Sequence, residues 1–323
     1  MDTSINAAVY AVLISFVANL VLCPMMIPSL VRLKFGQYIR DDGPTAHKKK
    51  AGTPTMGGIM IIVSFLLAAM VFMRGNPHAL GVVGATLGFG LIGFLDDFLK
   101  IVKKQNLGLR AWHKLLGQIV VSVGFFFYWR GLEGFTSEIL IPFFPELTFD
   151  FGFLFPFFVV FIFLSASNGA NLTDGLDGLA AGVTALIAVF FMFSAWMLDS
   201  PVLPVTGAAV GSLLGFLLFN SHPARVFMGD TGSLALGGFV AAVALMLNMP
   251  LFLVIVAVIY VAETLSVIIQ VGYFRMTGGK RFFKMAPIHH TFEVYWPETK
   301  VVAFFYIITA MACLLGYLAL MGV

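Results

Sequence analysis

Long apolar blocks separated by short polar breaks run the length of the chain. Because about 17 to 25 apolar residues cross a bilayer as a helix, the pattern predicts ten membrane helices. They run from Ala7 to Leu30, Met56 to Met73, Ala79 to Leu95, Leu115 to Trp129, Phe153 to Ala166, Leu179 to Leu198, Leu203 to Phe219, Ser233 to Leu247, Leu251 to Phe274 and Val301 to Leu320. The expected fold class is therefore all-α: a polytopic integral membrane protein forming one membrane-embedded unit over 1–323. The stretch from Gly131 to Gly152, rich in Phe, Pro and Thr, reads as a short hairpin at the membrane interface.

Ten spans put both termini on one side and sort the connecting loops into two sets. One set, Arg32 to Thr55, Asp96 to Lys114, Ser167 to Gly178, Asn220 to Gly232 and Arg275 to Lys300, holds 6, 5, 0, 1 and 5 Lys plus Arg, 17 of the chain's 19. The remaining two, Arg74 and Arg130, fall in the opposite set. By the positive-inside rule the basic loops are cytoplasmic and both termini outside. Composition agrees: 60% of the 323 residues are hydrophobic, 11% are charged, and the mean hydropathy is +0.98. A soluble domain of this size is excluded. The first block follows Asp2 with no Lys or Arg, so it lacks a signal peptide's basic start and reads as a retained helix. Cys23 and Cys313 both lie in apolar blocks, which argues against a disulfide between them.

The candidate chemistry sits in the basic loops. An ionised side chain in a membrane helix costs roughly 3 kcal/mol on insertion, and adjacent carboxylates repel unless a cation or a proton intervenes. Asp96 and Asp97 close the third block, where they either mark the water side or form part of a metal or proton-handling site. Asn171-Leu172-Thr173-Asp174-Gly175-Leu176-Asp177-Gly178 follows the fifth block, with two acids and no Lys or Arg; a pair of helix caps explains that less well than function. Asn220 to Gly232 follows the seventh and ends in Gly229-Asp230-Thr231-Gly232. Five Asp from three loops on one membrane face suit Mg²⁺, which binds through one or two carboxylates together with substrate phosphate oxygens. Lys48, Lys49, Lys50 and Lys100 supply the cations a phosphate needs, although the triple lysine taken alone fits anionic lipid heads better. Phe227 is either a membrane-edge anchor or a platform for a nucleobase. His289 and His290 adjoin Glu293; with no Cys nearby, phosphate binding or proton transfer fits them better than zinc. Glu263 and Gln270 share one face of the ninth block, which should look into the bundle.

With these segments assembled, the chain resembles the polyprenyl-phosphate N-acetylhexosamine-1-phosphate transferase superfamily along essentially its whole length: Gly52 to Gly58, Phe94 to Lys100, Asn171 to Ala180, Asn220 to Gly232 and Met285 to Glu293. The segment Pro287-Ile288-His289-His290-Thr291-Phe292-Glu293 points to the phospho-N-acetylmuramoyl-pentapeptide-transferase branch, whose motif usually has a third His where this chain has Thr291. The resemblance implies a homodimeric enzyme of the bacterial inner membrane, surrounded by membrane lipids and with no nucleic-acid partner. It implies transfer of phospho-MurNAc-pentapeptide from UDP-MurNAc-pentapeptide to undecaprenyl phosphate with Mg²⁺, giving lipid I and UMP in peptidoglycan and cell-wall synthesis. By motif position, Asp230 is the implied Mg²⁺ ligand, Asp96 the base or orienter for the lipid phosphate with Asp97 beside it, and His289 the contact to the diphosphate. Lys50, Thr55, Lys100, Asn171, Asp174, Asp177, Asn220, Phe227, Gln270 and His290 are the implied substrate-binding set, with Phe227 on the uracil. Two other readings compete. One is a sister enzyme using UDP-GlcNAc, which Thr291 keeps open. The other is a transporter, which would place charges mid-helix and show internal repeats, whereas these acids lie at helix ends.

Overall fold

A computed structural model describes residues 2–32, 52–103, 105 and 107–322. In chain order the helices are α1 (Asp2–Arg32), α2 (Gly58–Phe72), α3 (Pro77–Val102) and α4 (Ala111–Arg130). After the strands β1 (Glu138–Ile141) and β2 (Phe144–Asp150) come α5 (Phe155–Thr173), α6 (Leu179–Met197), α7 (Leu203–Asn220) and α8 (Gly229–Met246). The chain closes with α9 (Val258–Met276), the short α10 (Ile288–Glu293) and α11 (Glu298–Met321). Eight of these are long and apolar enough to cross a membrane. The other two long ones are α2, with 15 residues, and α4, with 20 residues and His113, Lys114 and Gln118 in its first half. The ten expected blocks are thus ten long helices among the described residues, and the all-α membrane fold holds.

Their ends differ from the expected ones in four informative places, the first being α5, which runs past Ala166 to Thr173 and takes Asn171 into its last turn. Helix α3 does not stop at Leu95 but continues to Val102, which puts Asp96, Asp97 and Lys100 within its last turns. Helix α8 starts at Gly229 rather than Ser233, so Asp230 belongs to its first turn. The ninth block is not continuous: a 3₁₀ turn (Pro250–Phe252) and a single helical turn (Leu253–Val256) precede a break at Ala257. Pro250 lacks an amide hydrogen and favours the turn.

Helix α8 is the axis of the bundle, packed against α2, α3 and α5. Its sequence, rich in Gly and Ala, permits backbones to approach closely, the usual means of helix association where lipid removes a hydrophobic drive. A Cβ on Gly93 of α3 would lie 2.0 Å from the Asp230 carbonyl oxygen, and one on Gly58 of α2 would lie 2.1 Å from the Gly232 amide nitrogen. No residue but glycine fits at either crossing. Several interior hydroxyls are satisfied within their own helices, as in Thr86 to the Val82 carbonyl and Thr184 to that of Ala180. The expected hairpin is present: β1 and β2 pair antiparallel with Glu138 opposite Asp150. The Leu140 amide bonds the Asn248 carbonyl beyond the C-terminal end of α8. The 18 residues of α8 therefore separate hairpin and carboxylates by about 27 Å at about 1.5 Å per residue.

Candidate active site

Two helix ends meet at the carboxylates. The last turns of α3 present Asp96, Asp97 and Lys100, and the first turn of α8 presents Asp230. Oxygens of Asp96, Asp97 and Asp230 lie within 4.8 Å of one another. Lys100 bridges all three, its Nζ standing 2.6 Å from Asp96 Oδ2, 3.0 Å from Asp230 Oδ2 and 3.6 Å from Asp97 Oδ1. Lys114, in the first turn of α4, places a second ammonium 3.0 Å from Asp230 Oδ2. On the other side Asn171 Nδ2 donates to Asp230 Oδ1 at 2.8 Å and to Ser233 Oγ at 2.8 Å.

The three carboxylates differ in what they have left to offer. Asp96 accepts the Leu109 amide at 2.8 Å in addition to Lys100. Asp97 is occupied by the backbone of α8, accepting from the amides of Asp230 and Thr231 and from the Thr231 hydroxyl. Their side chains are only 5% and 4% exposed, against 18% for Asp230. Asp230 is therefore the member most open to an incoming ion or phosphate. A set of hard oxygen donors flanked by ammonium groups suits Mg²⁺ and a phosphate better than a softer metal.

Asp174 follows α5 in the turn that leads to α6. Burial, with the negative charges of Asp230, Asp97 and Asp177 around it, pushes its carboxyl up to about 7 against the opposing pull of the Gly229 amide. Thr55 also reaches this corner: its hydroxyl and Asp97 Oδ2 crowd the space over Gly229. The backbone around it pairs with the α8 approach through Phe227 N to Pro54 O (2.8 Å), Gly57 N to Phe227 O (2.8 Å) and Gly58 N to Met228 O (2.9 Å). Phe227 is half-buried, so its backbone is fixed while its ring keeps some exposed surface.

Beside this cluster stands a second one. Asp177 Oδ2 accepts the Ala224 amide at 3.0 Å and lies 3.1 Å from His222 Nδ1; the Asp177 amide donates to Glu298 Oε1 at 2.7 Å. Asn220 is buried and braces the same loop by donating to the Val226 carbonyl at 2.9 Å. A third group comes from α9 and α10. His289 Nδ1 pairs with Glu263 Oε1 at 3.0 Å, both residues fully closed to solvent, and His289 Nε2 abuts the backbone at Gly175. His290 Nδ1 pairs with Glu293 Oε2 at 2.6 Å and is half-buried. Gln270 Oε1 accepts the Phe283 amide at 2.8 Å, which ties α9 to the following loop.

Of the residues singled out from sequence, Thr55, Asp96, Asp97, Lys100, Asn171, Asp174 and Asp230 share one corner. Asp177 and Asn220 brace its neighbour, Phe227 leads into α8, and His289, His290 and Gln270 build the α9–α10 wall. Lys50 lies outside the described residues. Sequence reasoning missed Lys114, counted only as loop charge, and Thr231, hidden beside Asp230. It also left open why position 291 is Thr. The Thr291 hydroxyl bonds both the carbonyl (2.6 Å) and the amide (3.2 Å) of Met285, so it staples the loop without an imidazole.

Residues 79–248 match the model for glycosyl transferase family 4, and residues 50–62 match signature 1 of the phospho-N-acetylmuramoyl-pentapeptide-transferases. Curated proteins bearing that transferase name are similar over nearly the whole chain. The one from Acetivibrio thermocellus is 49% identical, covering 98% of this chain and 96% of its own. That of Clostridioides difficile is 47% identical over 99% of both, and that of Oceanobacillus iheyensis 46% identical over 94% of this chain and 95% of its own. The matched span contains α3, α5 and the first turn of α8, the elements on which Asp96, Asn171 and Asp230 converge, and the chain belongs to the phospho-N-acetylmuramoyl-pentapeptide-transferase family.

Proposed function

We propose that the corner between α3 and α8 is where phospho-MurNAc-pentapeptide passes from UDP-MurNAc-pentapeptide to undecaprenyl phosphate, giving lipid I and UMP. The family's reaction is transfer of that group to a lipid carrier in peptidoglycan synthesis. The observation that carries our assignment is Asp230, the most exposed of three convergent carboxylates, with two ammonium groups on one oxygen and an amide on the other.

Overall, an oxygen of the lipid phosphate bonds the phosphorus attached to the sugar, and UMP departs with the bridging oxygen. Two highly charged groups must therefore meet, and preorganised cations at the point of meeting are the main aid a protein can supply. Lys100 and Lys114 provide them from α3 and α4. Asp230 would hold Mg²⁺, which when bound neutralises phosphate charge. Asp96 is our candidate for the group that orients the acceptor phosphate or takes its proton. Asn171, Asp174 and Thr55 border the donor, with Asp177, Asn220 and Phe227 on the nucleotide side and Phe227 against the uracil; Lys50 joins the donor set by its motif position alone. Because His289 is closed to solvent, we assign it to shaping the Gly175 turn beneath the diphosphate, and His290, with Gln270, to the open wall of the pocket. The concentration of Lys and Arg in these loops supports a cytoplasmic setting for this face, and Mg²⁺, a bacterial cytoplasmic membrane and a homodimeric state complete the proposal.

The donor is tested by offering purified protein UDP-MurNAc-pentapeptide or UDP-GlcNAc with undecaprenyl phosphate and Mg²⁺ and identifying the lipid product by mass spectrometry. Our reading expects a product only with the muramoyl-pentapeptide donor. A product only with UDP-GlcNAc would move the chain's chemistry to the sister reaction.

A further inference from the structure

The amides in the first turn of a helix have no partner within it, and a side chain just before the helix normally supplies one. Helix α8 has no such cap of its own: Met228 precedes it and offers no side-chain hydrogen bond. The missing acceptor comes from another helix. Asp97, on α3, receives the Asp230 amide at 3.2 Å on Oδ1, and on Oδ2 the Thr231 amide at 2.9 Å and the Thr231 hydroxyl at 2.7 Å. A buried carboxylate at this end is also favoured by the helix dipole.

The surroundings fit this use of Asp97. Gly229 adopts φ +71°, and a Cβ there would lie 2.6 Å from Asp97 Oδ2 and 2.8 Å from Thr55 Oγ1. Only glycine lets the carboxylate close over the start of the helix. One turn earlier on α3, Gly93 already presses against the Asp230 carbonyl. Helix α3 therefore grips the backbone of Asp230 on both sides, at its carbonyl through Gly93 and at its amide through Asp97.

We propose that Asp97 is a positioning residue for Asp230 and neither a base nor a metal ligand, and that Thr231 is the second half of the same clamp. This rests on the assignment of Asp230 to the reacting corner. Asp97 and Thr231 hold the first turn of α8 in register with α3, and the Asp230 carboxylate takes its place between Lys100, Lys114 and Asn171 because its backbone cannot shift. A displacement of about 1 Å in such a group costs on the order of a hundredfold in rate.

Thr231 separates this role from direct action, since its hydroxyl is spent on Asp97. The full-length protein in detergent is assayed for UMP release, with kcat, donor KM and the Mg²⁺ midpoint measured for Thr231→Val, Thr231→Ser, Asp97→Asn and the Asp97→Asn/Thr231→Val double variant. Expected are a kcat loss of about tenfold or more for Thr231→Val, from one hydrogen bond to a charged group, with donor KM within twofold. Thr231→Ser should restore kcat, and the double variant should be no slower than Asp97→Asn within twofold. If Thr231→Val gives too little folded protein, Thr231→Ala carries the same expectation. Wild-type kcat in Thr231→Val, or equal losses in Val and Ser, would overturn the clamp, as would additive losses in the double variant. The wild-type assay run alongside distinguishes this from failure of the site itself: with no UMP release there, the reading of the corner falls first.

Discussion

Helices α8 and α9 are consecutive, nearly equal in length, and both carry site residues, yet 89% of α8 is buried and only 22% of an 18-residue stretch of α9. The difference follows from composition. Helix α8 offers Gly and Ala to three neighbours and so lies at the bundle axis, whereas α9 carries Leu265, Ile268, Ile269 and Phe274 on an exposed face. In lipid that face costs nothing, because acyl chains are as apolar as leucine. The rigid helix carries the carboxylate that must be placed closely, and the peripheral one supports an adjoining wall through Glu263 and Gln270. A changed residue should therefore cost activity on α8 and its contacts, and cost stability or nothing on α9 away from Gln270.

The largest effect should come from Asp230→Asn, which removes the charge Lys100 and Lys114 are arranged around. UMP release should fall by about a thousandfold or more, while yield and elution volume stay at wild-type values. Next is Gly93→Ala, whose methyl has no room against the Asp230 carbonyl. Overpacking of this kind costs about 1–3 kcal/mol, and the forced shift of α8 should lower kcat by about a hundredfold; thermal unfolding and turnover together check it. On α9, Glu263→Ala leaves His289 Nδ1 buried without its acceptor, a loss of about 1–3 kcal/mol. It should be read in Tm first and in rate second.

A smaller, pH-dependent effect is expected at Asp174. Its carboxyl titrates at about 7 in the fold against an ordinary value of 3.8. The folded state therefore holds a proton that the unfolded chain gives up, and stability declines as pH rises from near 4 through 7. In metal-free buffer the Tm of Asp174→Asn should exceed that of wild type by more at pH 8 than at pH 5; a constant difference would mean that Asp174 does not titrate there. Smallest of all is Ile268→Ala on the exposed face of α9, which should leave Tm and turnover unchanged within error. A loss like that of Gly93→Ala would erase the contrast between the two helices.

Much of this contrast lies below what a sequence displays. Apolar blocks fix the number of crossings because length is set by the bilayer, and charged loops carry the chemistry because burying charge is costly. Asp96, Asn171 and Asp230 were legible for that reason. Hydrophobicity does not say which block is central: α8 and α9 both read as apolar, and the small residues that decide it act only through their neighbours. Nor does it say where a helix ends when polar residues continue it, so Asp96 and Asp97 look like a terminus although α3 runs on to Val102. His289 is equally opaque. The motif marks it as functional, but burial on Glu263 arises from a contact 26 positions away. Lys114 reads as one more basic loop residue until α4 turns it toward Asp230.

The most direct test of the account is UMP release from UDP-MurNAc-pentapeptide by the purified protein, with undecaprenyl phosphate and Mg²⁺ each present or absent. The account predicts release only when both are supplied, since the acceptor and donor phosphates are proposed to meet at the corner between α3 and α8, where Asp230 would hold the cation. Release at the same rate without the lipid phosphate or without the metal, or none under any condition from a well-folded preparation, would contradict it.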